Sequence, residues 1–247
     1  MGGSDASGRA DEIVTIEAIC ILGRGIERVS TRSGPVWRPT RYIERPSPSG
    51  GHSGYRYPAA MDDASALIAG SHANVLAACT LYDRMRQNGA TPRLVAFAAG
   101  RPGYLDADPD TTLTEGKILR EAFTRRVRVP AEETEIMILA ENRNTRDDID
   151  RIAALAGERS ITAVAMITVR VHIPRAAEFG RLARTFDGPV RLDFVAAEDL
   201  LQERYARHPG ILRALDQAVR SAAYERTAAR EANGVRALLT GTYGVNI

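Results

Sequence analysis

His172 and Arg175 stand three residues apart in the run Thr168-Val169-Arg170-Val171-His172-Ile173-Pro174-Arg175. On a helix that spacing puts imidazole and guanidinium on one face, where both can hold a single anionic group. His172 is the acid–base candidate, because an unperturbed imidazole titrates near neutrality. A second cluster, Glu141-Asn142-Arg143-Asn144-Thr145-Arg146-Asp147-Asp148, divides in two. Asn144 or Thr145 can cap a following helix, with Asp147 and Asp148 favouring the positive end of its dipole. Glu141, Asn142 and Arg143 precede that cap and read as ligand contacts. Gly23-Arg24-Gly25 and Gly100-Arg101-Pro102-Gly103 are turns whose glycines let backbone N–H groups approach an anion. Glu115 opens another helix, where its carboxylate either complements the dipole or, like Glu141, orients the histidine or receives a ligand hydroxyl or amine.

The elements that must position these groups follow from apolar periodicity. Short runs at 16–22, 93–98, 135–139, 161–167 and 190–195 read as strands, and helical patterns fill 71–88, 114–126, 145–157, 174–186 and 198–207. Nearly continuous apolar strands separated by helical crossovers predict an α/β, Rossmann-like three-layer fold around a mainly parallel five-stranded sheet. In such sheets ligands bind beyond the carboxyl ends of the strands, near the point where strand order reverses. Every cluster above follows a strand. The same loops carry Arg24, Arg101, Arg143, Arg146, Arg170 and Arg175. Six guanidinium groups at one rim need counter-anions, which predicts pairing with local acids and a small ligand bearing carboxylate or phosphate.

Three segments lie outside this alternation. Residues 1–12 form an acidic, Gly/Ser-rich leader, expected to be disordered, and position 6 is alanine, which rules out a myristoylation motif. Residues 23–69 are far longer than an ordinary strand-to-helix connection and contain the single tryptophan, Trp37, with Tyr42, Tyr55 and Tyr57; they read as a partly ordered lid. Residues 201–247 form a C-terminal helical extension, with amphipathic spacing from Gly210 to Leu239 that suits a cover for the sheet or a homodimer contact.

What is missing also narrows the chemistry. The net charge of +2 in 247 residues argues against a nucleic-acid surface. Cys20 and Cys79 are the only cysteines, both in apolar runs, which excludes a disulfide framework and fits a cytoplasmic protein. The first apolar run is interrupted by Glu17 and has no basic flank, so neither a signal peptide nor a membrane span is expected. A dinucleotide fingerprint would need glycine at Arg28, and neither a phosphate-binding P-loop nor a G-x-S-x-G elbow occurs. Glu115, Glu141, Asp147 and Asp148 lack the spacing of a dedicated Mg2+ site, and no metal ligand is assigned.

The residues resemble a known family. Gly23 after an apolar strand, Leu81-Tyr82, Thr114-Glu115-Gly116, Glu141-Asn142-Arg143-Asn144-Thr145 and the run Thr168 to Ala176 look like the YdcF/SanA/ElyC-like domain family across residues 16–197. The resemblance implies a Rossmann-like core over residues 13–200, with a crevice lined by Glu115, Glu141, Asn144, Thr145, His172 and Arg175. It also implies S-adenosylmethionine binding, a property of one branch, and places the chain nearer the soluble branch than the membrane-anchored one. Val169, Asp148 and the 23–69 insertion depart from the family pattern, which points to a specialised substrate. The expectation is therefore an enzyme that binds a small anionic metabolite, S-adenosylmethionine or a nucleotide-like molecule. Its contacts are Gly23, Arg24, Gly25, Gly100, Arg101, Asn142, Arg143, Asn144, Thr145, Thr168, Arg170 and Arg175, and its catalytic groups are His172, Glu115 and Glu141. Two alternatives are a non-catalytic sensor or assembly module and a metal-assisted phosphatase or nucleotidyl enzyme.

Overall fold

A computed structural model of the chain describes residues 16–40, 70–101, 105, 110, 112–142, 144–182, 185 and 188–243. Five strands, β1 (Ala18–Leu22), β4 (Leu94–Ala98), β5 (Glu135–Ile138), β6 (Ala163–Thr168) and β7 (Arg191–Ala196), form a parallel sheet in the order β5-β4-β1-β6-β7. The chain moves outward from β1 to β4 and β5, then returns to lay β6 on the other side of β1. Strand order therefore reverses between β1 and β6. This is the expected α/β, Rossmann-like three-layer architecture. β1, β4 and β6 are buried along their whole length because both faces of the sheet are covered.

Alternation along β1 divides the core. Ile19 and Ile21 face one layer, built from α1 (Gly70–Gln87), α2 (Glu115–Thr124) and α5 (Ala197–Arg204). Ala18, Cys20 and Leu22 face the other, built from α3 (Thr145–Glu158) and α4 (Ile173–Leu182). In the first layer Tyr82 and Phe97 meet Phe123 edge to face at centroid distances of 5.9 and 5.7 Å. α2 docks closely on the sheet: a Cβ at Gly116 would lie 2.6 Å from Ile138 Cγ2.

The structure adds detail to the sequence expectation in three places. The helix expected over 174–186 is described over Ile173–Leu182. The 23–69 insertion opens as an antiparallel hairpin of β2 (Ile26–Thr31) and β3 (Gly34–Pro39), which leaves β1 through Gly25 at φ +109°, a conformation open to glycine. Ile26 and Trp37 pack with Leu105, Leu113 and Ile118, so this part of the insertion is anchored on α2 and the loop before it. The remainder of the insertion, with Tyr42, Tyr55 and Tyr57, lies outside the described residues, as does the 1–12 leader. The long C-terminal pattern is broken into α6 (Pro209–Val219) and α7 (Ala222–Leu239), with Ser221 capping α7 through Tyr224 N–H. No helix among the described residues is long and apolar enough to cross a membrane.

α7 spans the two layers. Tyr224 near its start packs on the α1/α2/α5 core and Leu238 near its end on the α3/α4 core. Glu231 lies seven residues from each, on the same helical stripe. The helix therefore crosses the carboxyl rim of the sheet and carries an acid over the reversal point.

Candidate functional site

Beyond β6 the chain makes one 3-10 turn, Arg170–His172, and enters α4. His172 is 2% exposed, and its Nδ1 lies 3.0 Å from Glu231 Oε2. Arg24, from the β1 turn, holds Glu231 Oε1 at 2.8 Å, and Arg175 Nε approaches Glu231 Oε2 at 2.8 Å. The Arg175 contact is an ion pair whose Nε is not aligned as a hydrogen bond. One buried carboxylate thus receives three groups, one from the turn after β1 and two from the 3-10 turn and first turn of α4 after β6, on either side of the reversal point. The expected convergence of Arg24, His172 and Arg175 is present, and the anion they meet belongs to the chain itself.

The charges set the protonation states. Burial alone raises the Glu231 carboxyl, but His172, Arg24 and Arg175 outweigh it and hold the group at about 2. His172 is pushed down to about 4, chiefly by burial, with the two arginines adding to it against the pull of Glu231. At neutral pH the imidazole is uncharged. This corrects the expectation that His172 titrates near neutrality: a buried ring between two guanidinium groups pays too much to take up a proton. Its other nitrogen, Nε2, lies 3.4 Å from Thr145 Oγ1 at the start of α3.

A second cluster sits on the other side of the β1 turn. Glu115, 4% exposed, accepts from the Gly25 N–H and from Ser71 Oγ at 2.5 Å, while Ser71 Oγ accepts from the Arg24 N–H at 2.6 Å. Both glycines of the rim are required by close approach. A Cβ on Gly23 would lie 2.5 Å from Ala99 Cβ and 2.7 Å from Glu115 Cδ, and one on Gly100 would lie 1.8 Å from the Asn142 carbonyl oxygen. Asn142 Nδ2 donates to Asp148 Oδ1 at 2.8 Å. Burial, aided by the charges of Glu115 and Asp147, raises the Asp148 carboxyl to about 8 against that hydrogen bond. Asp148 is therefore a buried, protonated acid and not the dipole-complementing surface carboxylate that its place in the first turn of α3 indicates. Thr168, fully buried at the end of β6, has an Oγ1 without a hydrogen-bond partner among the described residues.

Other expected contacts are placed elsewhere. The Arg101 guanidinium folds onto the carbonyls of Leu105, Asp110 and Leu113 and braces its own loop. Arg170 is exposed and pairs with Asp199 at 2.5 Å, away from Glu231. Its backbone N–H meets Glu198, which also accepts from Tyr224 Oη at 2.9 Å. Asn144 caps α3 by accepting from the Asp147 N–H at 3.0 Å. Glu141 is exposed, and the carboxylate that orients His172 is Glu231, not Glu141 or Glu115. Arg146 is exposed and pairs within its helix with Asp150. Arg143 lies outside the described residues.

Glu231 and Ser71 are the members that sequence reasoning passed over. The signal for Glu231 was an acid on the Tyr224–Leu238 stripe of an amphipathic helix, where an apolar residue belongs. No group of three or more potential metal ligands occurs among the described residues. A depression lined by Arg86, Arg128 and Glu132 lies at the amino ends of the strands, at the opposite rim from these groups. Comparison of the chain with protein-family models, with curated proteins and with solved structures found no match to any of them.

Proposed function

We propose that this chain is a YdcF-like enzyme that binds a small anionic metabolite, S-adenosylmethionine or a nucleotide-like molecule, in the crevice between the Gly23 turn and the start of α3. The observation that carries this reading is the meeting of Arg24, His172 and Arg175 on one carboxylate at the point where strand order reverses. Groups arranged to hold Glu231 are arranged to hold a ligand carboxylate or phosphate at the same edge, since two guanidinium groups face a single internal charge. Across the turn, Glu115 uses Oε1 for protein contacts, and no described residue bonds its other oxygen. That oxygen suits a ribose hydroxyl or an ammonium group. Anion binding at one side and hydroxyl or amine binding at the other supports a zwitterionic or ribosyl ligand over a simple inorganic anion.

The full chain is tested by thermal shift against S-adenosylmethionine, nucleotides and phosphorylated metabolites. A true ligand at about a hundredfold above its Kd stabilises by ~2.7 kcal/mol, which in a domain of this size raises Tm by roughly 5–10 °C. Arg24→Ala and Arg175→Ala remove that shift. The absence of stabilisation by every compound in the panel would refute the reading.

A further inference from the structure

We propose that Thr145 is a nucleophile that attacks carbonyl esters or thioesters bearing an anionic group, with His172 as its base and Glu231 as the residue that orients the base. The inference rests on the reading of this rim as a metabolite site and adds to it a reaction class and a covalent intermediate.

The tautomer of His172 follows from its surroundings. A neutral imidazole carries one N–H, and the ionised Glu231 can only accept, so the proton sits on Nδ1 and is donated to Oε2 at 3.0 Å. Arg175 Nη2 also lies near Nδ1, but at 3.4 Å it is the longer contact, and that arginine is engaged with the carboxylate. Nε2 is then the lone-pair nitrogen, and the only arrangement that satisfies the 3.4 Å contact is donation from Thr145 Oγ1. A hydroxyl whose proton points at a carboxylate-backed imidazole has the connectivity of a nucleophile–base–orienter chain. Thr145, half-buried, presents the hydroxyl at the rim, while the base beneath it is closed off from water.

Two further features address the electrophile. As the first residues of α3, Thr145 and Arg146 carry backbone N–H groups with no acceptor inside the helix, and these can receive a developing oxyanion. Thr168 ends β6 on the same sheet face as Val164 and Met166, the α3/α4 face, and its buried Oγ1 has no partner among the described residues. A buried hydroxyl left unsatisfied beside the end of β1 is a donor held ready for a ligand oxygen.

The step balances without a cofactor. Thr145 Oγ bonds to the carbonyl carbon as its proton passes to Nε2; the bond to the alcohol or thiol breaks, and that group leaves with the proton. Water, deprotonated by Nε2, then attacks the acyl-threonine, and Thr145 recovers its proton as the acid departs.

The test uses the full chain and p-nitrophenyl acetate, followed by nitrophenol release and by mass spectrometry of the acid-quenched protein. The expected result is one acetyl group on Thr145, retained in Thr145→Ser and lost in Thr145→Val, with His172→Gln slowing acylation by at least ~100-fold. The wild-type acylation rate is flat from pH 5 to 8, since the base is already neutral there, with no inflection at the ordinary histidine value of ~6.5. Glu231→Gln lowers the rate and moves the acid limb further down, an effect that a purely structural role would not produce. Acetylation elsewhere, no acetylation in the folded wild-type chain, or wild-type rates in Thr145→Val would overturn the proposal. A chain that shows the ligand-dependent thermal shift yet forms no adduct refutes the nucleophile and leaves the binding reading standing.

Discussion

Glu231 Oε2 lies 3.0 Å from His172 Nδ1, a contact across 59 positions of sequence that ties the last helix to the carboxyl end of β6. With Arg24 207 positions away on the same carboxylate, Glu231 is a junction between the first turn, the fourth crossover and the C-terminus. Glu231→Ala leaves two largely buried guanidinium groups facing each other. The expected cost is ~3 kcal/mol, at the low end for a broken buried pair because both arginines keep some contact with water. Glu231→Gln, which retains an acceptor for Nδ1, costs less. Urea denaturation of the two variants checks the order, and an unchanged midpoint for Glu231→Ala would contradict the junction.

The same cluster sets an acid limit to stability. Glu231 is held at about 2 against an ordinary 4.5, so its contribution is present above 4.5 and is lost as pH falls toward 2. His172 is held at about 4 against 6.5, so the unfolded chain takes up its proton first and stability declines as pH drops from 6.5 through 4. Melting temperatures of the wild type should therefore fall in two overlapping steps below pH 6.5. In His172→Gln the upper step should vanish while the lower one remains.

Asp148 has the opposite sign. Its carboxyl is raised from 3.8 to about 8, so the folded chain keeps a proton that the unfolded chain releases. The contribution is fully present below 3.8 and is lost as pH rises through 8. Asp148→Asn keeps an oxygen for Asn142 Nδ2 and has no proton to lose. The variant should be more stable than wild type at pH 8 by roughly 2–4 kcal/mol, with the gap closing toward pH 4. Chemical denaturation at the two pH values measures it, and a gap independent of pH would show that Asp148 is ionised in the folded chain.

Gly100 and Gly23 give a graded test of rim packing. An added Cβ at Gly100 meets backbone, the Asn142 carbonyl at 1.8 Å, whereas at Gly23 it meets Ala99 Cβ at 2.5 Å and the Glu115 side chain. The Glu115 carboxylate can swing aside, but Ala99 Cβ is fixed to its own backbone, so both substitutions push on main chain, Gly100→Ala the harder because its contact is closer. Gly23→Ala should cost ~1–3 kcal/mol and Gly100→Ala more. Equal, small effects on the denaturation midpoint would mean that the β4 and β5 ends stand further apart than described.

How much of this was legible in the sequence depended on distance along the chain. The five sheet strands and their helices were readable because β1, β4 and β6 are apolar on both faces, and a run such as Ala163–Thr168 has one physical solution. The β2–β3 hairpin was not, since Pro35 and Pro39 interrupt its alternation and few of its side chains are buried. At the site, Arg24, His172 and Arg175 were legible as strand-end residues. Glu231 was not, for its role is set by partners 59 and 207 positions away, and its place on the apolar stripe of an amphipathic helix does not name them. Arg101 and Arg170 failed for the converse reason: a guanidinium can reach carbonyls or acids in its own loop or on the next helix, and strand-end position alone does not aim it.

Trp37 provides an optical reporter of events at the β1 turn. It is the single tryptophan of the chain and packs, half-buried, against Ile26, Leu105, Leu113 and Ile118. The hairpin that carries it begins one residue after Gly25, whose N–H is bonded to Glu115, so displacement of that turn by a ligand reaches Trp37 through a short, hydrogen-bonded path. Ligand binding at Arg24 and Glu115 should shift the emission maximum, saturably and with the midpoint found by thermal shift. Arg24→Ala should abolish the change without altering the starting spectrum, because the Arg24 guanidinium is engaged with Glu231 on α7. Trp37→Ala removes the anchor of the hairpin and should speed tryptic cleavage at Arg28 and Arg32, both exposed on its outer surface, while Trp37→Phe should protect them nearly as well as wild type. A ligand that raises Tm yet leaves tryptophan emission unchanged would show that the hairpin and the Gly23 turn move independently.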